Sequence, residues 1–276
     1  MIIDPKEIPT SQLHAYLLGS VAPRPICFAS TIDENGQPNL SPFSFFNVFG
    51  SNPVTLIFSP ARRVRDNTIK HTLENCMQQG EVVISVVNYA MVQQMSLSSC
   101  EYPKGINEFE KAGFTPVKAS HVKPFLVKES PVNMECRVRE IIETGQQGGA
   151  GNLIICDMLT MHIQDSVLNE KQQIDPHKID LVARMGGDYY CRASGHAVFE
   201  VAKPNLNLGI GIDALPLHIR NNDVLSGNDL GMLANVHQIP SLNPAFIYQE
   251  NNHYIDAKQF LQENKVEEAW QVLLRK

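Results

Sequence analysis

The chain has 276 residues, 43% of them hydrophobic and 19% charged, the proportions of a folded protein rather than a disordered or fibrous one. Its 23 basic residues stand against 29 acidic ones, a formal net charge of −6, and no long run of Lys and Arg offers the phosphate-binding face that DNA or RNA needs. No apolar stretch approaches the roughly 18 residues of a membrane span, and the opening MIIDPKEIPT lacks the regions of a signal peptide, so a cytoplasmic protein with no membrane or nucleic-acid partner is expected.

Thr10 or Ser11 can cap a small helix that carries Leu13, Tyr16 and Leu17 and ends near Gly19. After Pro23-Arg24-Pro25, residues Ile26 to Ile32 read as a strand, Asp33-Glu34-Asn35-Gly36 as a hairpin turn and Gln37 to Phe43 as the partner strand. Val54 to Phe58 is a further strand, followed by a basic loop, Ala61-Arg62-Arg63-Val64-Arg65, and then Ile69, Leu73, Cys76 and Met77 at helical spacing. Val82 to Val87 reads as a strand, Ala90 to Leu97 as a helix, Ser98 to Gly105 as a loop and Glu108 to Ala112 as a short helix. Two long strands, Val132 to Glu143 and Asn152 to Ile163, flank the glycine-rich segment Thr144 to Gly151. That segment is a hairpin loop and not a phosphate loop, because a strand and not a helix follows it. Ile179 to Met185 is expected to form a helical turn ending at Gly186-Gly187. From Lys203 the chain is rich in Pro, Asn and Gly, and one or two amphipathic helices between Asp256 and Leu274 close it. Short strands outweigh helices through residue 165 and do not alternate with long crossover helices, so a β-barrel with helices packed outside is the expected architecture.

Several motif-like features carry no chemistry. The cysteines at 27, 76, 100, 136, 156 and 191 form no CxxC pair and the nine histidines no HxH, HxxH or HxxxH spacing, so reduced, mostly buried thiols and no metal are expected. Gly209-Ile210-Gly211-Ile212-Asp213-Ala214 fits a loose GxGxxA but lies in no strand–helix unit, with Pro216 close behind. Asp33 to Gly36 opens no calcium loop, since position 12 would be Ser44, and no GxSxG elbow is present.

Two constellations can bind a ligand. Asn39-Leu40-Ser41-Pro42-Phe43-Ser44-Phe45-Phe46-Asn47 leaves a strand with three aromatics and two hydroxyls, which suits a planar heteroaromatic ring; alternate phenylalanines on a strand also serve simply as core. Ser59-Pro60-Ala61-Arg62-Arg63-Val64-Arg65, with Lys70-His71-Thr72 at an exposed helix start, can hold a phosphomonoester through helix N–H groups, a hydroxyl and a charge. The plainer alternative is a solvated basic loop with an ordinary Thr cap.

The order of these segments resembles the flavin reductase-like proteins of the FMN-binding split-barrel fold. The resemblance rests on Pro23-Arg24-Pro25-Ile26, Phe28-Ala29-Ser30-Thr31 with Asn35-Gly36, Asn39 to Asn47, Lys70-His71-Thr72-Leu73-Glu74-Asn75 and Ile106-Asn107-Glu108-Phe109-Glu110-Lys111-Ala112-Gly113. It implies a mainly β chain: a Greek-key antiparallel split β-barrel with peripheral helices over residues 1–200, a C-terminal extension over 201–276 packed on or near it, a homodimer, and one FMN per subunit near the dimer interface. By the same resemblance Ser41, Phe43, Ser44, Phe45 and Asn47 flank the isoalloxazine; Ser59, Pro60 and Arg63 meet the ribityl chain and phosphate; and Lys70 and Thr72 bind phosphate. The family often has Lys-Asp-Thr where His71 stands here, and His71 is a further phosphate candidate. The segment Asn228-Asp229-Leu230-Gly231 belongs to the extension and receives no role.

The function this implies is an oxidoreductase that takes hydride from NADH or NADPH and passes electrons to free flavin or another small-molecule acceptor. FMN itself accepts the hydride, which accounts for the lack of an obvious acid–base pair, and no catalytic side chain is named. Two alternatives use the same chain differently: a non-enzymatic FMN-binding electron carrier, and a cofactor-free barrel that makes protein contacts.

Overall fold

The computed structural model describes residues 1–204, 208–248 and 252–275, which divide into two units, Met1–Val198 and Phe199–Lys276. In the first unit, α1 (Thr10–Ser20) precedes β1 (Arg24–Pro25), β2 (Cys27–Ile32), β3 (Pro38–Phe43), β4 (Phe46–Ser51) and β5 (Val54–Phe58). Next come α2 (His71–Gln79), β6 (Glu81–Val86), α3 (Val92–Ser98), α4 (Glu108–Ala112), β7 (Pro116–Val117) and β8 (Leu126–Val127). The long β9 (Val132–Glu143) and β10 (Asn152–Ile163), then β11 (Val182–Arg184) and β12 (Tyr190–Arg192), complete it.

Seven strands form one sheet in the order β3-β2-β6-β9-β10-β5-β4, antiparallel at every pairing. The predominance of antiparallel strands with outer helices agrees with the sequence reading. β3 and β4 are the sheet's edges, and among the described residues no pairing joins them into a closed barrel. β2 is buried at all six residues because both of its faces are covered. Cys27 and Ala29 enter one apolar cluster with Phe43, Phe58 and Ile154, while Phe28 points the other way into a cluster with Leu40, Phe109 and Phe114, the two-residue alternation of a strand. The β2–β3 hairpin turns where the sequence placed it: the Asp33 carboxylate accepts the N–H groups of Asn35 and Gln37, both at 2.9 Å, and Gly36 takes a φ of 79°.

The reading of residues 179–185 as a helical turn is corrected. Val182–Arg184 is a strand lying between β1 and β12 in a small antiparallel sheet, and the Gly186-Gly187 pair is its turn, with Gly187 at a φ of 58°. Three residues are too few to show a period of two, so only the pairing reveals them. β4 was also not anticipated. As an edge strand it is exposed at most positions and lacks the apolar alternation that marks a half-buried strand.

The second unit contains α5 (Leu217–Arg220), α6 (Gly227–Ala234), α7 (His253–Gln262) and α8 (Val266–Leu273) around a core of Ile219, Leu233, Leu261, Trp270 and Leu273. The Ser226 hydroxyl and Asp229 carboxylate cap α6 reciprocally. Gly209 and Gly211 belong to no dinucleotide loop: a Cβ at Gly209 would lie 2.8 Å from the Ala234 carbonyl, and Gly211 turns the chain at a φ of 84°. Cys27, Cys76, Cys136 and Cys156 are buried free thiols, Cys191 is half-buried and Cys100 exposed. Burial pushes the Cys76 and Cys136 thiols up to about 12, where they are unreactive. Among the described residues no helix is long and apolar enough to cross a membrane, and no group of His, Cys, Asp and Glu could hold a metal ion.

Candidate functional site

Asn39, Ser41 and Phe43 alternate with Leu40 and Pro42 along β3 and share the face that α2 covers. Phe43 is buried against Phe58, with ring centroids 5.3 Å apart, so the core alternative holds for this residue. The Lys70 ammonium lies 5.5 Å from the Phe43 ring centroid. Burial, with the Arg63 charge behind it, pushes this lysine below its ordinary range. Among the described residues Lys70 has no carboxylate at ion-pair distance, although Glu101 and Glu108 lie close enough to favour its charged form.

The arginines nearby are engaged. Arg63 donates to the Thr68 hydroxyl at 2.7 Å, the Ile69 carbonyl at 3.0 Å and the Glu101 carboxylate at 3.0 Å. Arg65 pairs with Glu101 at 2.8 Å and with Asp66, whose carboxyl is held at about 2 by the Thr68 hydroxyl and N–H. Arg62 donates to the Asn67 side chain. Asp66 and the distant Glu101 thus offset the charges of Arg63 and Arg65, and Arg62 is engaged by a neutral amide.

Lys70 also begins α2. Its carbonyl accepts the N–H groups of Leu73 and Glu74, and among the described residues the N–H groups of His71 and Thr72 meet no acceptor, as at other helix starts. His71 is half-buried and lies near Glu108. Glu108 is buried at the start of α4, accepts the Leu40 N–H at 3.0 Å and thereby covers the β3 edge; burial pushes its carboxyl up.

Thr72 is not the exposed donor that the sequence suggested. It is fully buried and accepts the Asn39 amide N–H at 3.0 Å, within a network that includes Thr31 and Asn75 and ties α2 to β2 and β3. Thr72→Val preserves the shape but leaves the Asn39 amide with only a 3.4 Å contact to Thr31. The expected result is a stability loss of about 1–3 kcal/mol, read as a lower urea midpoint. A midpoint equal to that of the parent would remove this structural role.

The glycine-rich hairpin fixes the loop that follows β5. The Arg62 N–H donates to the Ala150 carbonyl at 2.8 Å, the Gly149 N–H to the Arg62 carbonyl at 2.9 Å and the Asn67 amide to the Gln146 carbonyl at 3.0 Å. A Cβ on Gly148 would come within 3.0 Å of the Arg63 and Val64 carbonyls, so only glycine allows the backbones this close. Ser59 and Pro60 are buried beneath. The Ser59 N–H donates to the Phe45 carbonyl at 2.8 Å, and the Ser59 hydroxyl accepts the Asn152 N–H. Asn152 donates its amide to the Pro60 carbonyl at 2.7 Å, while its own Oδ1 is buried and has no partner among the described residues. A buried acceptor of this kind is costly unless a donor reaches it.

The other expected contacts lie apart. The Ser44 hydroxyl sits at the 3.5 Å limit of hydrogen bonding from Arg24, a buried guanidinium that also donates to the Leu18, Val21 and Met185 carbonyls. Phe45 is exposed, with the His14 ring edge-on at 6.4 Å. Asn47 is exposed on β4 and its side chain accepts the Val48 N–H. Lys70, His71, Phe43 and Arg63 thus gather at one place, with the half-buried Ser41 two residues along β3 from Phe43, while Ser59 is anchored to Phe45 and Pro60 to Asn152. Glu101, Glu108 and Asn152 are the members that sequence reasoning missed, and Asn39, read there as part of the ring-binding segment, bonds to Thr72. Glu108 lay within a segment already singled out, but its bond to Leu40 spans 68 residues and has no local signal.

Residues 18–177 match the family model of the flavin reductase like domain. An uncharacterized protein of Aquifex aeolicus is 35% identical over 196 residues, 71% of this chain and 97% of that protein. Among solved structures, nitrilotriacetate monooxygenase component B from Bacillus cereus superposes with a TM-score of 0.67 at 27% identity, covering 73% of this chain and 98% of that one. A split barrel domain protein from Shewanella frigidimarina, described as a flavin reductase, gives 0.61 at 26% identity over 73% of this chain and all (100%) of its own.

Proposed function

The chain belongs to the flavin reductase-like family, and on that premise we propose that it is an FMN-binding split-barrel oxidoreductase that accepts hydride from NADH or NADPH and passes electrons to free flavin or another small acceptor. The observation that carries the reading is Lys70, a partly desolvated ammonium at the start of α2 that has no carboxylate at ion-pair distance among the described residues. A phosphomonoester supplies the missing anion. The orphaned Asn152 Oδ1 beside Ser59 and Pro60 suits the hydroxyls of a ribityl chain, and the exposed Phe45 ring offers apolar surface to a flavin ring. FMN, when bound, supplies the hydride acceptor at its ring. The protein's own residues have the tasks of holding the phosphate at Lys70, keeping the 59–70 loop in place through the glycine hairpin and shielding the ring.

The reading includes a cytoplasmic homodimer. The edge strand β4 leaves Val48 and Phe49 more than half exposed next to Phe45, apolar surface that a second copy would cover.

One preparation tests these points. FMN is expected to bind at least about tenfold more tightly than riboflavin, because only FMN offers a charged partner to Lys70. The loaded protein is expected to oxidise NADH or NADPH steadily, at a mass of two chains by light scattering. Equal affinities for the two flavins would remove the phosphate assignment, and bound FMN without turnover would make the protein a carrier.

A further inference from the structure

A second cleft, of about 600 Å³, opens between α3 and the β1-β11-β12 sheet. Its floor follows from strand pairing. Arg24, Arg184 and Tyr190 stand directly opposite one another across the three strands, and Arg192, opposite Val182, stands two residues along from Tyr190. Cross-strand partners point to the same face, so three guanidinium groups and a phenol share one side of a very small sheet. The guanidinium of Arg184 lies 4.5 Å from the Tyr190 ring centroid, and that of Arg192 lies 3.8 Å from the Tyr89 ring centroid.

The two outer arginines differ in what they leave free. Asp180 grips Arg192 through two bonds of 2.7 Å, so this guanidinium and the Tyr89 ring form a fixed flat platform. Arg184 donates to the Gly187 carbonyl at 2.6 Å. The one carboxylate within ion-pair distance among the described residues, Asp188, is 3.8 Å away and fully exposed, too weak a partner to neutralise it. Arg24, at the end of the row, is buried behind the lining and spends its donors on the Leu18, Val21 and Met185 carbonyls. Ser96 lines the opposite wall from α3. A flat stacking platform, a guanidinium with spare donors and a hydroxyl wall make a site for a planar ring that carries phosphate.

We propose that this cleft receives the phosphorylated adenosine end of the reduced nicotinamide nucleotide, with the ring on the Tyr89–Arg192 platform and the phosphate at Arg184. The proposal rests on the reading above, in which such a nucleotide is the electron donor, and it places the donor's non-reacting end in a site separate from the Lys70 phosphate site.

The probe is adenosine 2′,5′-bisphosphate, titrated by calorimetry into the FMN-loaded protein and tested as an inhibitor of NADPH oxidation. One site per chain and competition against NADPH are expected. Arg184→Ala is expected to weaken the probe by about tenfold or more. Ser96→Glu, a change at an exposed helix position that leaves the sheet untouched, is expected to do the same by placing a carboxylate against the phosphate. FMN affinity, measured on the same samples, is expected to stay at the parental value in both variants, and it reports separately on the flavin reading. Absence of probe binding in protein that binds FMN, binding without competition, or unchanged binding in both variants would overturn the proposal.

Discussion

Lys70→Ala is expected to weaken FMN binding about ten- to a hundredfold while leaving riboflavin binding at the parental level. The size follows from losing a charge-assisted bond to phosphate, about 1.5–3 kcal/mol. The selectivity follows from the ligand, since riboflavin lacks the group that Lys70 would meet. The fold is expected to survive, because Lys70 contributes to the α2 start only through its carbonyl, which accepts from Leu73 and Glu74, and makes no side-chain cap bond. Alanine keeps that carbonyl and removes an ammonium that burial already disfavours, so the ligand-free variant should be no less stable than the parent. Titration of both flavins, with a urea midpoint on the unliganded protein, decides the matter. If Lys70→Ala binds FMN like the parent, the phosphate sits among Arg62, Arg63 and Arg65. Occupancy there would then have to loosen the pairs that Arg63 and Arg65 make with Glu101.

The parts of this molecule legible in its sequence are those whose signal is local. β9 and β10 run over the residues that their apolar pattern marks. α4 lies between a capping Asn107, whose side chain accepts the Phe109 N–H, and a left-handed Gly113. α5 and α6 escaped because glycine, proline and asparagine surround them, although Ser226 and Asp229 at capping-box spacing marked the α6 start. In the site, the basic loop and the α2 start were visible as a cluster of residue types, but their charge state was not. Glu101, which meets Arg63 from 38 residues away and Arg65 from 36, lies in a segment read only as loop. The burial of Thr72 depends on Asn39, 33 residues earlier. A helix start reads the same in sequence whether its second residue faces water or a neighbouring strand, so tertiary pairing decides what the local pattern leaves open.

The second large effect is expected in the Phe199–Lys276 unit, where Leu233→Ala should lower stability by about 2–5 kcal/mol. Leu233 is fully buried on α6 in the core built around Trp270, and its carbonyl accepts the indole N–H of Trp270 at 3.2 Å. The substitution keeps that carbonyl and removes three side-chain carbons, so the loss is that of a cavity and not of a hydrogen bond. Small domains hold roughly 5–15 kcal/mol in total, which makes this a large share of what a unit with one helical core can have. The chain contains a single tryptophan and it lies in this core, so indole emission during urea unfolding reports on this unit alone. The emission midpoint is expected to fall well below that of the parent, while FMN binding in the absence of urea stays unchanged, because the Lys70 and Asn152 contacts belong to the Met1–Val198 unit with apolar clusters of its own. An unshifted emission midpoint would show that Leu233 does not pack in this core. A parallel loss of FMN affinity would show that the two units do not fold independently.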